Sequence, residues 1–152
     1  MAAYATEEIA LLGRIFDCAM DIMALLDDAG QILMINSAAR TVLGLEPSAL
    51  NHTSMFNLIH PDDHAAVVEE IQRTLNQTST RISLDVRCRH ADGSWRILEA
   101  MANPLAGEAR PRLVVTARDI TLRKQDQALQ QAQEAMEDAA RESSTTIELF
   151  AA

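Results

Sequence analysis

The sequence predicts an α+β fold, with five strand segments and a group of helices between the second and the third. Three observations carry this. Asp27-Asp28-Ala29-Gly30 separates two short apolar runs, Ile22 to Leu26 and Ile32 to Ile35, which is the pattern of a β-hairpin. From Arg81 to His90 the apolar residues alternate, with Ile82, Leu84, Val86 and Cys88 on one face and Arg81, Ser83, Asp85, Arg87 and Arg89 on the other. That period of two marks a half-buried strand. Finally, Leu113 to Gln125, LVVTARDITLRKQ, passes from a β-branched strand into a polar helix with no Gly or Pro between them. Without a flexible linker, such a joint hands a change in strand twist directly to the helix.

The remaining elements follow in order. Thr6 is placed to cap a first helix, with Glu7 and Glu8 in its opening turn. Ile9, Leu12, Phe16 and Met20 then recur at helical spacing. After the hairpin, Ser37 to Leu43 reads as a short helix stopped by Gly44, Glu46-Pro47 opens another turn, and Met55 to Ile59 forms a third. Pro61-Asp62-Asp63 begins a longer helix that carries Val67, Val68, Ile71 and Leu75 and ends near Asn76. Strands from Arg81 to His90 and from Ser94 to Ala102 flank the Ala91-Asp92-Gly93 turn. A loop from Asn103 to Pro111 leads to the last strand, Leu113 to Ile120.

The last two strands are apolar on both faces. Leu98, Ala100 and Ala102 oppose Trp95, Ile97 and Met101, and Val115 and Ala117 oppose Val114, Thr116 and Ile120. One layer of helices covers a single face, so the other needs the N-terminal helix or a second subunit. From Leu122 onward, Leu122, Leu129 and Met136 repeat every seven residues, and Gln125, Ala132 and Ala139 follow each by three, a weak heptad. The organisation expected is an N-terminal amphipathic helix over 1–20, a core domain over 21–121 and a coiled-coil-like linker helix over 122–152.

Composition narrows the function. A formal net charge of −9 repels nucleic-acid phosphates and anionic membranes, so no nucleic-acid or membrane partner is expected. Cys18 and Cys88 form no CxxC, which indicates neither a disulfide framework nor a zinc site and suits the reducing cytoplasm. Aromatic residues make up only 3% of the chain, and its seven Met must help fill the interior.

The order of elements resembles the PAS domain, the sensor module of bacterial signalling proteins. The matching pieces are DDAGQILMINSAARTVLGL, FNLIHPDDHAAV, RHADGSWRILEAMANPL and VVTARDITLRKQ, in that order. The resemblance implies a five-stranded antiparallel sheet with helices across one face, enclosing a pocket. It also implies output through the C-terminal helix, usually in a parallel dimer. Asp119, Ile120 and Thr121 match the family's Asp-Ile-Thr motif, at the start of that helix. The pocket is then lined by Val68, Ile71, Leu84, Val86, Cys88, Leu98, Ala100, Val115 and Ala117, a surface suited to a small apolar ligand or to none. The dimer would use Ile9, Leu12, Phe16, Ile97, Leu122, Leu129 and Met136.

Cofactor chemistry has little to stand on. Flavin photochemistry of the LOV subfamily requires a Cys on the small helices, and none lies between Leu43 and Leu58. Its flavin-binding amides align here with Cys88, Leu98 and Ala117, which would leave the ring edge unpaired at about 1–3 kcal/mol per buried group. A haem ligated by His64, or a differently bound FAD, is the alternative. His60 and His64 share i, i+4 spacing, but Pro61 puts His60 outside the helix, and no third zinc ligand is apparent. Cys88 reads as a small buried hydrophobe, and Asp62, Asp63, Glu69 and Glu70 as a charged helix face.

The sequence therefore points to a non-enzymatic, cytoplasmic sensor or relay domain without cofactor. It would dimerise and drive a downstream output domain in the same chain. The C-terminal Ile147-Glu148-Leu149-Phe150-Ala151-Ala152 is similar to the run that precedes the phosphorylated His box of sensor histidine kinases. The expected parent is thus a two-component histidine kinase, with this chain as its N-terminal sensor; a cyclic-di-GMP enzyme is the other candidate.

Overall fold

Asp27 builds the first hairpin. Its Oδ1 accepts the N–H groups of Ala29 and Gln31 at 3.0 and 2.8 Å, while its backbone N–H and carbonyl pair with Gln31 and Gly30. Gly30 completes the turn at φ 82°, where a Cβ would also lie 2.8 Å from the Phe56 ring. The computed structural model describes residues 2–76 and 83–151. The chain divides into two units, Met1–Asp119 and Ile120–Ala152.

The first unit opens with α1 (Ala2–Cys18) and the hairpin strands β1 (Ile22–Asp27) and β2 (Ile32–Ile35). The short helices α2 (Ala38–Leu43) and α3 (Pro47–Leu50), two 3₁₀ turns (Met55–Asn57 and Pro61–Asp63) and α4 (His64–Leu75) follow. The strands β3 (Leu84–Arg89), β4 (Trp95–Pro104) and β5 (Arg112–Asp119) close it. All pairings are antiparallel, and the sheet order is β2-β1-β5-β4-β3. This is the expected five-stranded α+β architecture. Of the predicted third strand, Arg81 and Ile82 lie outside the described residues.

Alternation places the core. In β1, Ile22, Ala24 and Leu26 are buried, and Val86, Cys88, Leu98 and Ala117 join them on the same side of the sheet. β2 breaks the period: Ile32 and Ile35 are three apart, yet both are buried. A register shift between Leu25 and Leu26 accounts for this, because Leu26 pairs with Ile32 while Leu25 pairs with Met34. Gly44 ends α2 in the left-handed conformation, φ 67°, and its N–H bonds back to Ala39 and Arg40 as expected of a C-cap glycine.

Several boundaries differ from the sequence reading: the helix expected from Pro61 opens with the 3₁₀ turn Pro61–Asp63, and α4 proper starts at His64. α1 begins at Ala2, so Thr6 lies inside it and its hydroxyl donates to the Ala2 carbonyl at 2.9 Å instead of capping the helix. β4 continues through Asn103 and Pro104, which pair with Val114 and Leu113; the loop starts only at Leu105. Ser37, expected inside α2, lies just before it and makes no side-chain cap. Its N–H donates instead to Asp17 Oδ1 at 3.1 Å.

That contact belongs to the anchorage of α1, none of whose residues is buried. The helix is held through its last turn. The fully buried Asn36 donates from Nδ2 to the carbonyls of Phe16 and Asp21 at 2.9 and 3.1 Å, and its Oδ1 accepts the Met23 N–H at 3.0 Å.

The second unit is α5 (Thr121–Ala151), a single helix of 31 residues. Leu122, Leu129 and Met136 are exposed along it. Among the described residues no helix is long and apolar enough to cross a membrane.

Replacing Asn36 with Ala leaves the Met23 N–H and two carbonyls without partners. The variant should lose at least about 3 kcal/mol in urea unfolding, given about 1–3 kcal/mol for each of the three stranded polar groups. A loss under about 1 kcal/mol would show that water takes over the role of the amide.

Candidate functional site

A cavity of about 120 Å³ lies between the inner sheet face and the helices. The sheet contributes Ile22, Ala24, Leu84, Val86, Cys88, Leu98, Ala100, Val115 and Ala117, among others. Leu43 of α2, Met55 and Leu58 around the first 3₁₀ turn, and Val67 and Ile71 of α4 close the other side. The wall is almost wholly apolar, with Glu70 at its margin. Cavities of about 150 Å³ lined by such residues stay dry and admit benzene-sized molecules.

Of the residues expected on the pocket, Ile71, Leu84, Val86, Cys88, Leu98, Ala100, Val115 and Ala117 are placed together around it. Val68 is not: it is 43% exposed, and Val67 takes its place. The buried stripe of α4 runs Val67, Ile71, Thr74, spaced i, i+4, i+7. Thr74 conceals this stripe in the sequence because it reads as polar. Its hydroxyl donates to the Glu70 carbonyl at 2.8 Å, so it is buried without a stranded group. The hairpin and short-helix side of the wall, Ile22, Ala24, Leu26, Ile32, Ile35, Leu43 and Met55, was missing from the sequence reading. The alternation in β1 was the signal that could have found it.

One side of the cavity is fixed by a clamp that the sequence did not reveal. Asp63 accepts from Arg87 Nε and Nη2 at 3.1 and 2.9 Å, and from the Arg87 backbone N–H at 2.9 Å. Residues 58–60 lie along β3: the His60 N–H donates to the Arg87 carbonyl, and the Arg89 N–H to the Leu58 carbonyl, each at 2.8 Å. This holds Leu58 and Ile59 against the free edge of the sheet. Asp63 is therefore more than a helix-dipole charge. The side-chain hydrogen bond from Arg87 holds its carboxyl below the usual range.

The ionisable groups nearby are occupied or silent. His60 accepts the Asp62 N–H through Nδ1 and so caps the second 3₁₀ turn, as its position before Pro61 predicts. His64 Nε2 lies 3.0 and 2.9 Å from the carbonyls of Phe56 and Ile59. Two carbonyl acceptors require a proton on that nitrogen, which leaves it no lone pair for iron. His64 is not among the cavity residues, and a cavity of this size with an almost wholly apolar wall does not fit haem or a flavin ring. Burial pushes the Cys88 thiol up to about 12, so it stays protonated and is no nucleophile at neutral pH. Among the described residues, no three His, Cys, Asp or Glu side chains are grouped to hold a metal.

At the C-terminal end of the sheet, β5 stops at Asp119 and α5 starts at Thr121, with only Ile120 between them. Asp119 is exposed, Ile120 buried and Thr121 half-buried. Of the expected dimer residues, Ile9, Leu12, Leu122, Leu129 and Met136 are exposed, whereas Phe16 and Ile97 are half-buried.

The family model for the PAS fold matches residues 32–117. This chain belongs to the PAS family. The PAS domain of an HTR-like protein from Haloarcula marismortui superposes with a TM-score of 0.65 at 22% identity, over 78% of this chain and 97% of that one. A PAS domain from a two-component sensor histidine kinase gives 0.64 at 19% identity, over 76% and 98%. Both likenesses concern the fold. The White collar 2 protein of Neurospora crassa is 28% identical over 79 residues, 52% of this chain, and the chain spans 15% of that protein's length.

Two outcomes test this PAS site. Asp63→Asn should lower stability at neutral pH. The carboxylate's contribution is complete above about pH 4, the ordinary carboxylate value, and is lost as pH falls through its lower folded value. The gap between variant and wild type in thermal melts should therefore close in acid; a gap independent of pH would sink the clamp. Saturating benzene should raise the melting temperature of the wild type by about 2 °C and leave Ala117→Leu, whose larger side chain occupies the cavity, unmoved.

Proposed function

We propose that this PAS domain is a regulatory sensor or relay that dimerises in parallel and passes a signal through α5 to an output domain. The single residue between β5 and α5 carries the reading. Val115 and Ala117 of β5 line the cavity, while Val114 and Thr116 point to the other face of the sheet. One strand thus touches both surfaces before it continues into the helix. A change in its twist has no flexible segment in which to dissipate.

The exposed Leu122, Leu129 and Met136, on a helix of 31 residues, support pairing of α5 with a second copy. Ile9 and Leu12 of α1 are exposed as well, and support a contribution of that helix to the dimer. The cavity supports a small, uncharged, apolar ligand as stimulus. Every polar group on a larger cofactor would lose its hydrogen bonds there. The likeness to the PAS domain of a two-component sensor histidine kinase favours a histidine kinase as the output, and two cysteines without a CxxC suit the reducing cytoplasm as its compartment.

Sedimentation at micromolar concentration should give a dimer, and Leu129→Glu should give a monomer with unchanged circular dichroism. Control by α5 is tested by fusing the chain to a histidine kinase core. A proline at Leu122 falls in the first turn, where proline is tolerated, so the informative change is Ala128→Pro in the helix interior. That variant should uncouple kinase autophosphorylation from the PAS domain. Unaltered control would refute the relay.

A further inference from the structure

β1 and β5 lie side by side and antiparallel, with Ile22 opposite Ala117. The chain therefore enters β1 where it leaves β5. Asp21, just before β1, accepts from Arg118 Nε and Nη2 at 3.1–3.3 Å, and Arg118 is the second-last residue of β5. The backbone carbonyl of Asp21 simultaneously accepts from Asn36 Nδ2, which also donates to Phe16 in the last turn of α1. Asp17 of that turn holds the Ser37 N–H. These contacts run without a gap from α1 through Asn36 and Asp21 to Arg118. None of their atoms belongs to the cavity wall.

We infer that Asp21 and Arg118 form a latch by which a load on α1 reaches the end of β5, and so the first turn of α5, without passing through the cavity. Three features carry the inference. α1 buries no residue, so whatever displaces it acts on the domain through its last turn. Asn36 is fully buried with its amide hydrogen bonds made, so it transmits that displacement instead of absorbing it. Arg118 lies one residue from the end of β5, where a change in strand twist passes directly along the backbone to Ile120. The domain then has a second, mechanical input. Whatever engages the exposed Ile9 and Leu12 of α1 pulls on the output strand.

The use of the latch in signalling rests on the relay reading, but the latch can be tested on the 152-residue chain alone. Leu12→Pro breaks α1 at an exposed position where no core contact is lost. Amide hydrogen exchange is then followed at Lys124, whose N–H closes the first turn of α5 on the Ile120 carbonyl. The proline should speed exchange there about threefold, the scale of an exposed ion pair. It should have no further effect in the Arg118→Gln chain, and the charge swap Asp21→Arg with Arg118→Asp should restore the response. Any other pattern, including equal responses with and without Arg118, overturns the latch. A kinase fusion indifferent to Ala128→Pro would refute the relay while leaving this result intact.

Discussion

The carboxamide of Asn36 is the constraint on which the rest of the domain is organised. It is buried beyond the reach of water, so its donors and acceptor must be met by protein groups. Meeting them requires the end of α1, the approach to β1 and the end of β2 to converge on one point. The backbone N–H of Asn36 adds a bond to the Met23 carbonyl at 3.0 Å. A hairpin alone would be marginal in water. Pinned in this way, it sets the register from which β5, β4 and β3 are added and fixes where the chain enters and leaves the sheet.

The cavity follows from that frame and from small side chains. Ala24, Ala100 and Ala117 sit where larger residues would fill the space between sheet and helices. The helices cannot collapse onto them, because Asp63 and residues 58–60 are tied to the β3 edge by directional hydrogen bonds. An apolar wall under polar constraint leaves a void. That arrangement suits a sensor, since occupancy changes packing without requiring any bond to be made or broken. The one thiol on the wall is protonated, and the nearby imidazole of His64 is engaged by backbone carbonyls.

Cavity and latch reach β5 from different sides. Val115 and Ala117 line the cavity, while Arg118 is bonded to Asp21, next to the anchorage of α1. On the proposed relay, this strand would combine two inputs one residue before a long helix begins. The energies are small, because the ion pair is exposed and the cavity contacts are dispersive. A change of one or two kcal/mol is nevertheless enough to shift a two-state equilibrium severalfold.

Local patterns in the sequence determined much of this protein. The Asp27–Gly30 hairpin, the left-handed Gly44, the alternation of Val86 and Cys88, and the direct passage from strand to helix at Asp119–Thr121 are all set by neighbouring residues. Turn chemistry and side-chain period act over a few positions, so they can be read without knowing the fold. Only tertiary structure decided the rest. Val67 replaces Val68 on the cavity because the orientation of α4 depends on what it packs against, and Thr74 hides its own burial by bonding to its helix. Asp63 with Arg87, Asp21 with Arg118, and Asn36 with Phe16 lie 24, 97 and 20 residues apart. No local rule pairs a carboxylate or an amide with a partner so distant. The sheet brings them together first, and hydrogen bonding then selects among the groups that meet.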